Sequence, residues 1–546
     1  FLITPNLDKM AKSGVILTQN YCAAPVCAPS RASILLGQSQ GHANVRNNQF
    51  DKALSNNYTL GNVFQSIGYK TAAIGKWGLQ GKDLSGHPIK RGFDYYYGYI
   101  GHGDGHEHYP KEGIYRGKKR VWENETDVSE ALDKCYTGDL WTAKAKQWIA
   151  THGANQDQPF FMYLAYDTPH AVFELPTSSY PSGSGLNGGL KFTGIPGRMI
   201  NTAEGIPDSW IHPDYINATY DHDANPDTKE QPWPETYKRF ATSVRRLDDE
   251  IGDLIDLLKD MNIDTNTMIV FSSDNGPTIE SYLPAPNVRY QANFFSSFGP
   301  FDGIKRDLLE GGMRMPVIVK WKGQIPCGKV VSTPSISYDW MPTLLDAAGS
   351  APPVVSDGVS LMPSLIGKGF QAKSNIYSEY EEGGKTPSYP EFAPANRGRV
   401  RNQMQMIRMG NIVGVRYDIK SHEDDFQLFN VMRDLQQKED LSNTMPMANL
   451  QKEFKDKIIR MRRVDVEVPR PYDSVAIPSI KVNKVRKGLK WSIYRSDEKW
   501  IPNTNKLKPV SKGISLNLKS SLSSLQSVDI ITFEGYLRIP IDGEYT

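Results

Sequence analysis

The feature that most constrains the fold is the alternation, as far as residue 348, of short apolar segments with segments of helical periodicity. The predicted strands are residues 15–17, 70–74, 160–166, 267–271 and 316–321, and the predicted helices are residues 60–67, 137–150, 235–258 and 339–348. This alternation is typical of helices that cover both faces of a largely parallel sheet. The sequence therefore predicts a three-layer α/β domain with a mixed, mainly parallel sheet and functional residues beyond its C-terminal strand ends.

Length and charge exclude several classes of protein. At 546 residues the chain is too long for one ordinary hydrophobic core, so two or three domains are expected. The 63 Lys and Arg residues nearly balance the 61 Asp and Glu residues, which gives no reason to expect nucleic acid as a partner. No run of about eighteen apolar residues occurs, so the sequence predicts no membrane span.

Composition divides the chain into four parts. Residues 1–366 carry the α/β pattern, and in residues 367–463 we predict antiparallel strands over 406–417 and 426–430 and a closing helix over 447–463. Residues 464–487 are rich in proline and charge and read as a linker. Residues 488–546 begin a separate β-rich module.

One segment, CAPSRASILLGQ at residues 27–38, carries the clearest chemical signal. Pro29 suits the first turn of a helix and Gly37 can end that helix, so Cys27 is predicted to lie at a helix N-terminus. Unpaired backbone N–H groups and the helix dipole favour an anion there, and Arg31 adds a rigid fork of donors. The alternative is that Cys27 is simply a small buried thiol, the commoner fate of a lone cysteine.

The cysteine, proline and arginine of this segment resemble the CxPSR signature of type I sulfatases, members of the alkaline phosphatase superfamily. Five further segments resemble the same family in order: TPNLDKMAKSG, GYKTAAIGKWGLQG, DTPH, SSDNG and GIKRDLLEGGMRMP. The resemblance extends over about residues 1–460. It implies an alkaline-phosphatase-like catalytic domain over residues 1–366 and a sulfatase C-terminal subdomain over residues 367–463.

The resemblance also implies roles for individual residues. Cys27, oxidised after synthesis to formylglycine, is the nucleophile that attacks sulfur, and Arg31 holds its environment. Lys76 and Lys305 clamp the sulfate ester from two sides, as compact point charges suit sulfate oxygens. His170 is the expected general acid, because imidazole ordinarily titrates near neutrality.

A divalent cation, Ca²⁺ in this family, is the implied cofactor beside formylglycine. Asp274 and Asn275 offer the hard oxygen ligands that Ca²⁺ prefers, and the modified Cys27 completes the implied ligand set within this sequence. The family's first strand, with paired metal-binding aspartates, is expected just upstream of Thr4.

The chain departs from the family pattern at Gly78, where the usual sequence has a histidine assigned to breaking the sulfated intermediate. By sequence, His42 is the nearest replacement base, with Arg46 beside it, and both are candidate substrate-binding residues; His42 as an ordinary surface histidine is an equal alternative. Residues 101–110, GHGDGHEHYP, read as a loop on the substrate rim, with His106 as the expected contact.

These observations predict a periplasmic or secreted sulfatase acting on a sulfated carbohydrate, after maturation by a formylglycine-generating enzyme. The carbohydrate preference depends mainly on residues 488–546, which resemble the start of a PA14-like module. Two alternatives stay open: a phosphodiester or phosphonate ester hydrolase of the same fold, and a non-catalytic, carbohydrate-binding pseudo-sulfatase.

Overall fold

The computed structural model describes residues 2–114, 119–153, 158–518 and 529–543. It confirms every predicted strand and helix of the α/β part, with bounds that shift by at most two residues. The α-helices are α1 (Pro5–Lys12), α2 (Cys27–Leu36), α3 (Leu60–Ser66), α4 (Thr137–His152), α5 (Pro213–Ile216), α6 (Glu235–Asp260), α7 (Glu310–Met313), α8 (Trp340–Ala347), α9 (Met362–Ile366) and α10 (Ala448–Met461).

The strands fall into an N-terminal and a C-terminal set. The first set is β1 (Val15–Leu17), β2 (Asn20–Tyr21), β3 (Lys70–Gly75), β4 (Tyr95–Tyr99), β5 (Val121–Glu123), β6 (Thr126–Asp127), β7 (Phe160–Ala165), β8 (Phe192–Ile195), β9 (Arg198–Ile200), β10 (Thr219–Tyr220), β11 (Gln231–Pro232), β12 (Ile269–Ser272), β13 (Val317–Lys320), β14 (Lys329–Val331) and β15 (Ser335–Ile336). The second set is β16 (Ile376–Lys385), β17 (Val400–Met409), β18 (Ile412–Arg416), β19 (Gln427–Asn430), β20 (Leu489–Arg495), β21 (Ser511–Ser515) and β22 (Asp529–Glu534).

Two mixed sheets form the centre of the α/β domain. The five-stranded sheet has the order β6-β5-β4-β3-β7, in which β3 runs parallel to β4 and β7, and β5 is antiparallel to both its neighbours. The four-stranded sheet has the order β12-β13-β1-β14, in which β13 is antiparallel to both neighbours and β1 is parallel to β14. Parallel pairing is therefore concentrated around β3, rather than extending through the domain.

Helices cover both faces of the five-stranded sheet, as the three-layer prediction requires. Ala73 of β3 packs in a cluster with Leu35 of α2 and Val63 of α3, whereas its neighbour Ile74 packs in a cluster with Trp141 of α4. Because successive strand residues point to opposite faces, β3 is buried on both sides. The polar residues at its C-terminal end therefore enter a buried site.

The long helix α6 connects the two sheets. Its apolar residues recur at the spacing of one helical face, and Leu257 lies in one cluster with Met162 of β7 and Ile269 of β12. A second cluster joins Ile251 of α6 to Tyr166, directly after β7, and to Phe271 near the end of β12, so the C-terminal ends of the two strands lie near each other. The loops that follow these two strands carry His170 and Asp274.

The C-terminal subdomain is a four-stranded antiparallel sheet of order β16-β17-β18-β19. Helix α10 packs Phe454 and Ile458 against Phe426. The predicted antiparallel strands and closing helix are confirmed, and the predicted segment 406–417 is a hairpin made of the end of β17, a turn and β18. Strand β16 was not predicted.

The last part of the chain agrees with the predicted linker and β-rich module. Residues 464–487, all of which the structure describes, form no helix or strand. Strands β20, β21 and β22 form an antiparallel sheet of order β21-β20-β22. Residues 519–528 and 544–546 of the module lie outside the described residues, and its PA14-like character stays a prediction. No helix in the described ranges is long and apolar enough to cross a membrane.

Candidate active site

Helix α2 begins at Cys27 and ends at Gly37, as its sequence predicts. Val26 is extended before the helix, and Gly37 adopts the left-handed conformation with φ of 63°. Cys27 is 3% exposed and lies at the positive end of the helix dipole. In the first turn, Ala28 N–H donates to Oδ1 of Asn48 at 3.4 Å and Ser30 N–H donates to the carbonyl of Val26, while Pro29 has no N–H.

A cavity of about 100 Å³ lies over Cys27. Its lining comes from the start of α2, the loop after α2, the 101–110 loop, and the loops after β7 and β12. The lining residues are Cys27, Asn48, Phe50, His106, His170, Glu280, Tyr282, Lys305 and Arg306. The loops after β7 and β12 extend from C-terminal strand ends, where the α/β pattern predicts functional residues.

Arg31 connects α2 to the elements around the cavity. Its Nη1 donates to the carbonyl of Trp77, and its Nη2 lies 3.4 Å from Nδ1 of His102. Its Nε lies 3.8 Å from the Asp274 carboxylate. With 3% exposure, the guanidinium is held in one position beside the start of the helix.

The two predicted lysines reach the site from separate elements. Lys76 follows β3, and its Nζ donates to the carbonyl of Gly105 at 3.0 Å. Burial lowers the pKa of Lys76 to about 8, and the charges of Arg31 and Lys305 add to the effect. For Lys305 burial acts in the same direction, but nearby Cys27 and Glu280 outweigh it and raise the pKa above its usual value.

His170 lies between Lys305 and a second imidazole. Nζ of Lys305 is 3.2 Å from Nε2 of His170, while Nδ1 of His170 is 2.5 Å from the carbonyl of Ala171. The ring stacks on His106 with centroids 4.4 Å apart. Burial and the charges of Lys305 and Lys76 lower the pKa of His170 well below its usual value. Without a bound anion, the imidazole therefore does not titrate near neutrality, contrary to the expectation from the sequence.

Asp274 and Asn275 follow β12 and provide oxygen atoms that suit a hard cation. The Asp274 side chain is 34% exposed, and its backbone carbonyl accepts a 2.6 Å hydrogen bond from Ser30 Oγ of α2. Among the described residues, Oδ1 of Asn275 is buried and has no hydrogen-bond partner. A carboxylate and an unpaired amide oxygen fit Ca²⁺, which prefers such ligands.

A second group with metal-ligand chemistry lies in the long insertion. Within the described ranges, Asp221, His222 and Asp223 bring three potential ligand atoms within 4.8 Å of one another, and all three residues are exposed. None of them is among the described residues that line the cavity.

The structure does not bring His42 and Arg46 to the cavity, whose described lining includes neither residue. Nδ1 of His42 lies 2.8 Å from the Asp357 carboxylate. Arg46 donates to the carbonyls of Gly41 and Arg463 and lies 3.4 Å from Glu379. Both side chains are therefore engaged in contacts within the fold, although they follow Cys27 closely in sequence.

Several residues around the cavity were missed by the sequence analysis. Glu280 accepts from Lys305 at 3.0 Å and from Arg306 at 2.8 Å, and these two cations lower its pKa although burial opposes them. Phe50 and Tyr282 complete the rim. These missed residues lie in irregular loops, where no periodic pattern could indicate them. Of these, only Arg306 lies in a motif that the sequence analysis used, because it is adjacent to Lys305.

Comparison with known proteins gives a consistent result. The family model described as Sulfatase matches residues 2–350, and that described as N-sulphoglucosamine sulphohydrolase, C-terminal, matches residues 297–464. N-acetylgalactosamine-6-sulfatase of Mus musculus is 29% identical over 383 residues, which are 66% of this chain and 61% of the relative. Steryl-sulfatase of Homo sapiens is 26% identical over 406 residues, with 69% and 68% of the two chains covered. The chain spans about 61% of the length of the N-acetylgalactosamine-6-sulfatases it matches.

Two solved structures show the same fold. Ps i-CgsB in complex with k-i-k-neocarrahexaose superposes with a TM-score of 0.59 at 24% identity, covering 85% of this chain and 88% of that one. BT4656 in complex with D-glucosamine-2-N,6-O-disulfate superposes with a TM-score of 0.55 at 20% identity, covering 84% and 93%. The fold is therefore the alkaline-phosphatase-like α/β fold of sulfatases. With a family model matching most of its α/β domain, the chain belongs to the sulfatase family.

Proposed function

We propose that this protein hydrolyses sulfate esters of a carbohydrate. The observation that carries the proposal is the convergence of cationic side chains on Cys27 at a helix N-terminus. Arg31, Lys76 and Lys305 are each at most 6% exposed, and each comes from a different element. Buried cations in excess of carboxylates are costly unless an anion completes the site.

Each of these residues has a separate proposed role in sulfate transfer. Cys27, in its formylglycine form, supplies the nucleophile for sulfur. Lys76 and Lys305 stabilise the non-bridging oxygens, where negative charge is held in the transition state. His170 protonates the leaving alcohol, because a sulfate group beside Nε2 offsets the lysine charges and raises the pKa of the imidazole toward neutrality.

Asp274 and Asn275 would hold Ca²⁺, together with the modified residue 27. The support is the unpaired, buried amide oxygen of Asn275 and the partly exposed carboxylate of Asp274. Bound there, the cation would supply fixed positive charge to the site.

Formation of formylglycine requires a maturation enzyme as a partner. Only 3% of Cys27 is exposed in the folded chain, so a modifying enzyme could not reach the thiol there. We expect modification to occur before α2 packs into the domain. The finer assignment to the periplasm or the extracellular space also belongs to this proposal.

A carbohydrate is the proposed carrier of the sulfate. Phe50 is 52% exposed at the rim of the cavity and offers a face for stacking on a sugar ring, while Asn48 and Glu280 can bond to hydroxyl groups. The relatives named for N-acetylgalactosamine 6-sulfate, and the neighbours bound to a neocarrahexaose and to a disulfated glucosamine, support the same class of substrate.

The test is hydrolysis by protein co-expressed with a formylglycine-generating enzyme. Sulfate release would be measured from sulfated mono- and oligosaccharides and from 4-nitrophenyl sulfate. Matched phosphate monoesters, phosphodiesters and phosphonate esters would be assayed beside them. We expect sulfate esters to give the highest kcat/KM.

Two results would contradict the proposal. The first is a higher kcat/KM for a phosphodiester or phosphonate ester, which would favour the ester hydrolase alternative. The second is no turnover of any ester by protein whose residue 27 is shown by mass spectrometry to be formylglycine, combined with binding of the sugar, which would favour a non-catalytic protein.

A further inference from the structure

The space beside Gly78 is taken by a different residue. A Cβ atom added to Gly78 would lie 2.9 Å from Cα and 3.1 Å from Cβ of His102, closer than such atoms approach in proteins. Gly78 also has φ of 65°, a conformation that side chains rarely adopt. The turn after β3 therefore leaves room for the histidine of the 101–110 loop and not for a side chain of its own.

His102 is fixed on several sides. Its backbone N–H donates to Asp51 at 2.7 Å, its ring stacks on Phe50 with centroids 4.0 Å apart, and His106 meets it edge-on at 5.4 Å. It is 0% exposed, whereas both aromatic neighbours line the cavity. His102 therefore lies behind Phe50 and His106, and is not itself among the described lining residues.

The contact with Arg31 identifies the tautomer of His102. An arginine side chain can only donate, so Nδ1 of His102, 3.4 Å from Nη2 of Arg31, is the acceptor. In the neutral ring the proton is then on Nε2. Within the described part of the chain, this buried Nε2 has no hydrogen-bond partner.

The charges around His102 keep the ring neutral. Burial, Lys76, Arg31, His106 and Lys305 all lower its pKa far below the usual value. The carboxylate of Asp51 is engaged with the backbone N–H rather than with the ring. A ring in this setting is poorly suited to take up a proton, but it can accept from Arg31 and donate from Nε2 simultaneously.

We propose that His102 is a positioning residue that takes the place of the side chain absent at Gly78: it accepts from Arg31 through Nδ1 and offers Nε2–H to an oxygen of the bound sulfate group. The inference rests on the proposed function. In this proposal the space beside Gly78 holds a neutral ring with one acceptor and one donor, and not a titrating base. The ring holds Arg31 beside Cys27. The same pair of groups exists in a glutamine side chain.

The first test is independent of turnover. Nitrogen NMR of ¹⁵N-histidine-labelled full-length protein, with His102 assigned by comparison with His102→Gln, reports the protonation of each ring nitrogen between pH 5 and pH 8. We expect an unprotonated Nδ1, a protonated Nε2 and no titration in this range. We also expect the Nε2 signal to shift when inorganic sulfate is added. A ring that titrates near its usual pKa, or that carries its proton on Nδ1, would overturn the proposal.

The second test compares His102→Gln with His102→Ala. We expect His102→Gln to keep kcat/KM for 4-nitrophenyl sulfate within about fivefold of wild type, because the amide reproduces one acceptor and one donor. We expect His102→Ala to lose about 100-fold, the scale of removing one donor to a developing charge, and to bind inorganic sulfate more weakly.

His87 provides the matched control, since it is 2% exposed and its Nε2 is also buried without a partner among the described residues, but its ring packs against Tyr96 and Trp122 rather than against residues of the cavity lining. We expect His87→Gln and His87→Ala to change melting temperature but not kcat/KM.

Equal loss of activity in His102→Gln and His102→Ala, with unchanged melting temperatures, would indicate a titrating base and overturn the inference. Wild-type protein that releases no sulfate would instead refute the proposed function, while the NMR result would still decide the state of His102.

Discussion

Two buried clusters of cationic residues in the described part of the chain differ in how their charge is balanced. The surroundings of Cys27 bring together Arg31, Lys76, Lys305 and Arg306, with the carboxylates of Asp274, Glu280 and Glu382 beside them. The junction between the α/β domain and its C-terminal part brings together Arg46, Arg462 and Arg470, with the carboxylates of Glu379, Glu381, Asp465 and Asp473. Of these two clusters, the one around Cys27 has more cations than carboxylates, whereas the junction has more carboxylates than cations.

Glu379 is the centre of the junction cluster. Its carboxylate is completely buried and lies 3.0 Å from Arg462 and 3.4 Å from both Arg46 and Arg470. These contacts connect the segment after α2, strand β16 and the segment after α10. The cluster is internally neutralised, so removing one partner would leave buried charges without compensation.

The difference between the two clusters is that around Cys27 part of the buried positive charge is not paired with a carboxylate. Lys76 donates to a backbone carbonyl rather than to a carboxylate, and burial lowers its pKa to about 8. An incoming sulfate would supply the missing negative charge. The predictions below test this difference, beginning with the largest expected effect.

The largest effect is expected at the residue that the excess cations surround. Cys27→Ala removes the nucleophile and should lower sulfate release by more than about 10⁴-fold, the order seen when a covalent nucleophile is deleted. The fold should remain, because only a small side chain is lost. Cys135→Ala is the control: it is also fully buried, but it packs against Leu140 and Trp141 away from the cavity lining. Sulfate release by Cys27→Ala at the level of Cys135→Ala would contradict the assignment.

The excess charge itself can be tested with a pair of buried lysines. Lys76→Met should lower kcat/KM by about 10²- to 10³-fold, since a fixed charge on the transition state is lost, with little change in melting temperature, because Lys76 donates to a backbone carbonyl rather than to a carboxylate. Lys146→Met is the counterpart, because Lys146 is neutralised by Asp253 at 2.7 Å. It should lower the melting temperature and leave kcat/KM unchanged. Thermal unfolding and steady-state kinetics on both variants check the comparison; the opposite pattern would break it.

The neutralised junction should respond to mutation through stability. Glu379→Gln leaves three arginines without their shared carboxylate and should reduce the free energy of unfolding by about 3–5 kcal/mol. Activity measured at low temperature should be retained. The exposed pair Lys452–Asp456 is the control, since Asp456→Asn removes an ion pair whose lysine is 76% exposed and should cost less than about 1 kcal/mol. A Glu379→Gln melting curve that overlays wild type would refute the structural role.

Acid should weaken the same junction. Although burial opposes ionisation, Arg470, Arg462 and Arg46 lower the pKa of Glu379 from 4.5 to about 2. Because the pKa of Glu379 is lower in the folded state, its ionised carboxylate contributes its full stabilisation of the fold above pH 4.5. This contribution is lost as the pH falls from 4.5 through 2. The difference in melting temperature between wild type and Glu379→Gln should therefore narrow between pH 6 and pH 3. A difference that is constant over this range would show that the charge of Glu379 does not contribute.

The regular elements could be predicted because buried strands and helices leave a periodic apolar pattern. The segments that carry Cys27, Lys76, His170 and Asp274 were predicted by their motifs and their places at helix and strand ends, and the structure gathers them. Strand β16 was missed because the buried Glu379 interrupts its apolar pattern. A buried glutamate is compatible with a strand only when distant arginines neutralise it, and a local pattern does not reveal those partners.

Closeness in sequence to Cys27 did not predict the other residues around the cavity. His42 and Arg46 follow Cys27 closely but turn toward Asp357 and Glu379, each more than 300 positions away. Glu280 and Tyr282 reach the cavity from an irregular loop. His102 occupies the space beside Gly78 because two loops meet after β3 and β4, which is a consequence of sheet pairing rather than of local sequence.

The smallest effect is expected at His42, the residue nominated by its position in the sequence. Its Nδ1 pairs with Asp357, the two side chains are 26% and 22% exposed, and partly solvated pairs of this kind contribute up to about 1 kcal/mol. His42→Ala should therefore lower stability slightly and leave sulfate release within about twofold of wild type. Single-turnover kinetics, with mass detection of any sulfated residue 27, distinguishes this result from a catalytic role. A variant that completes one fast turnover and then stalls would place His42 in the reaction, and would require the 39–42 turn to move toward the cavity.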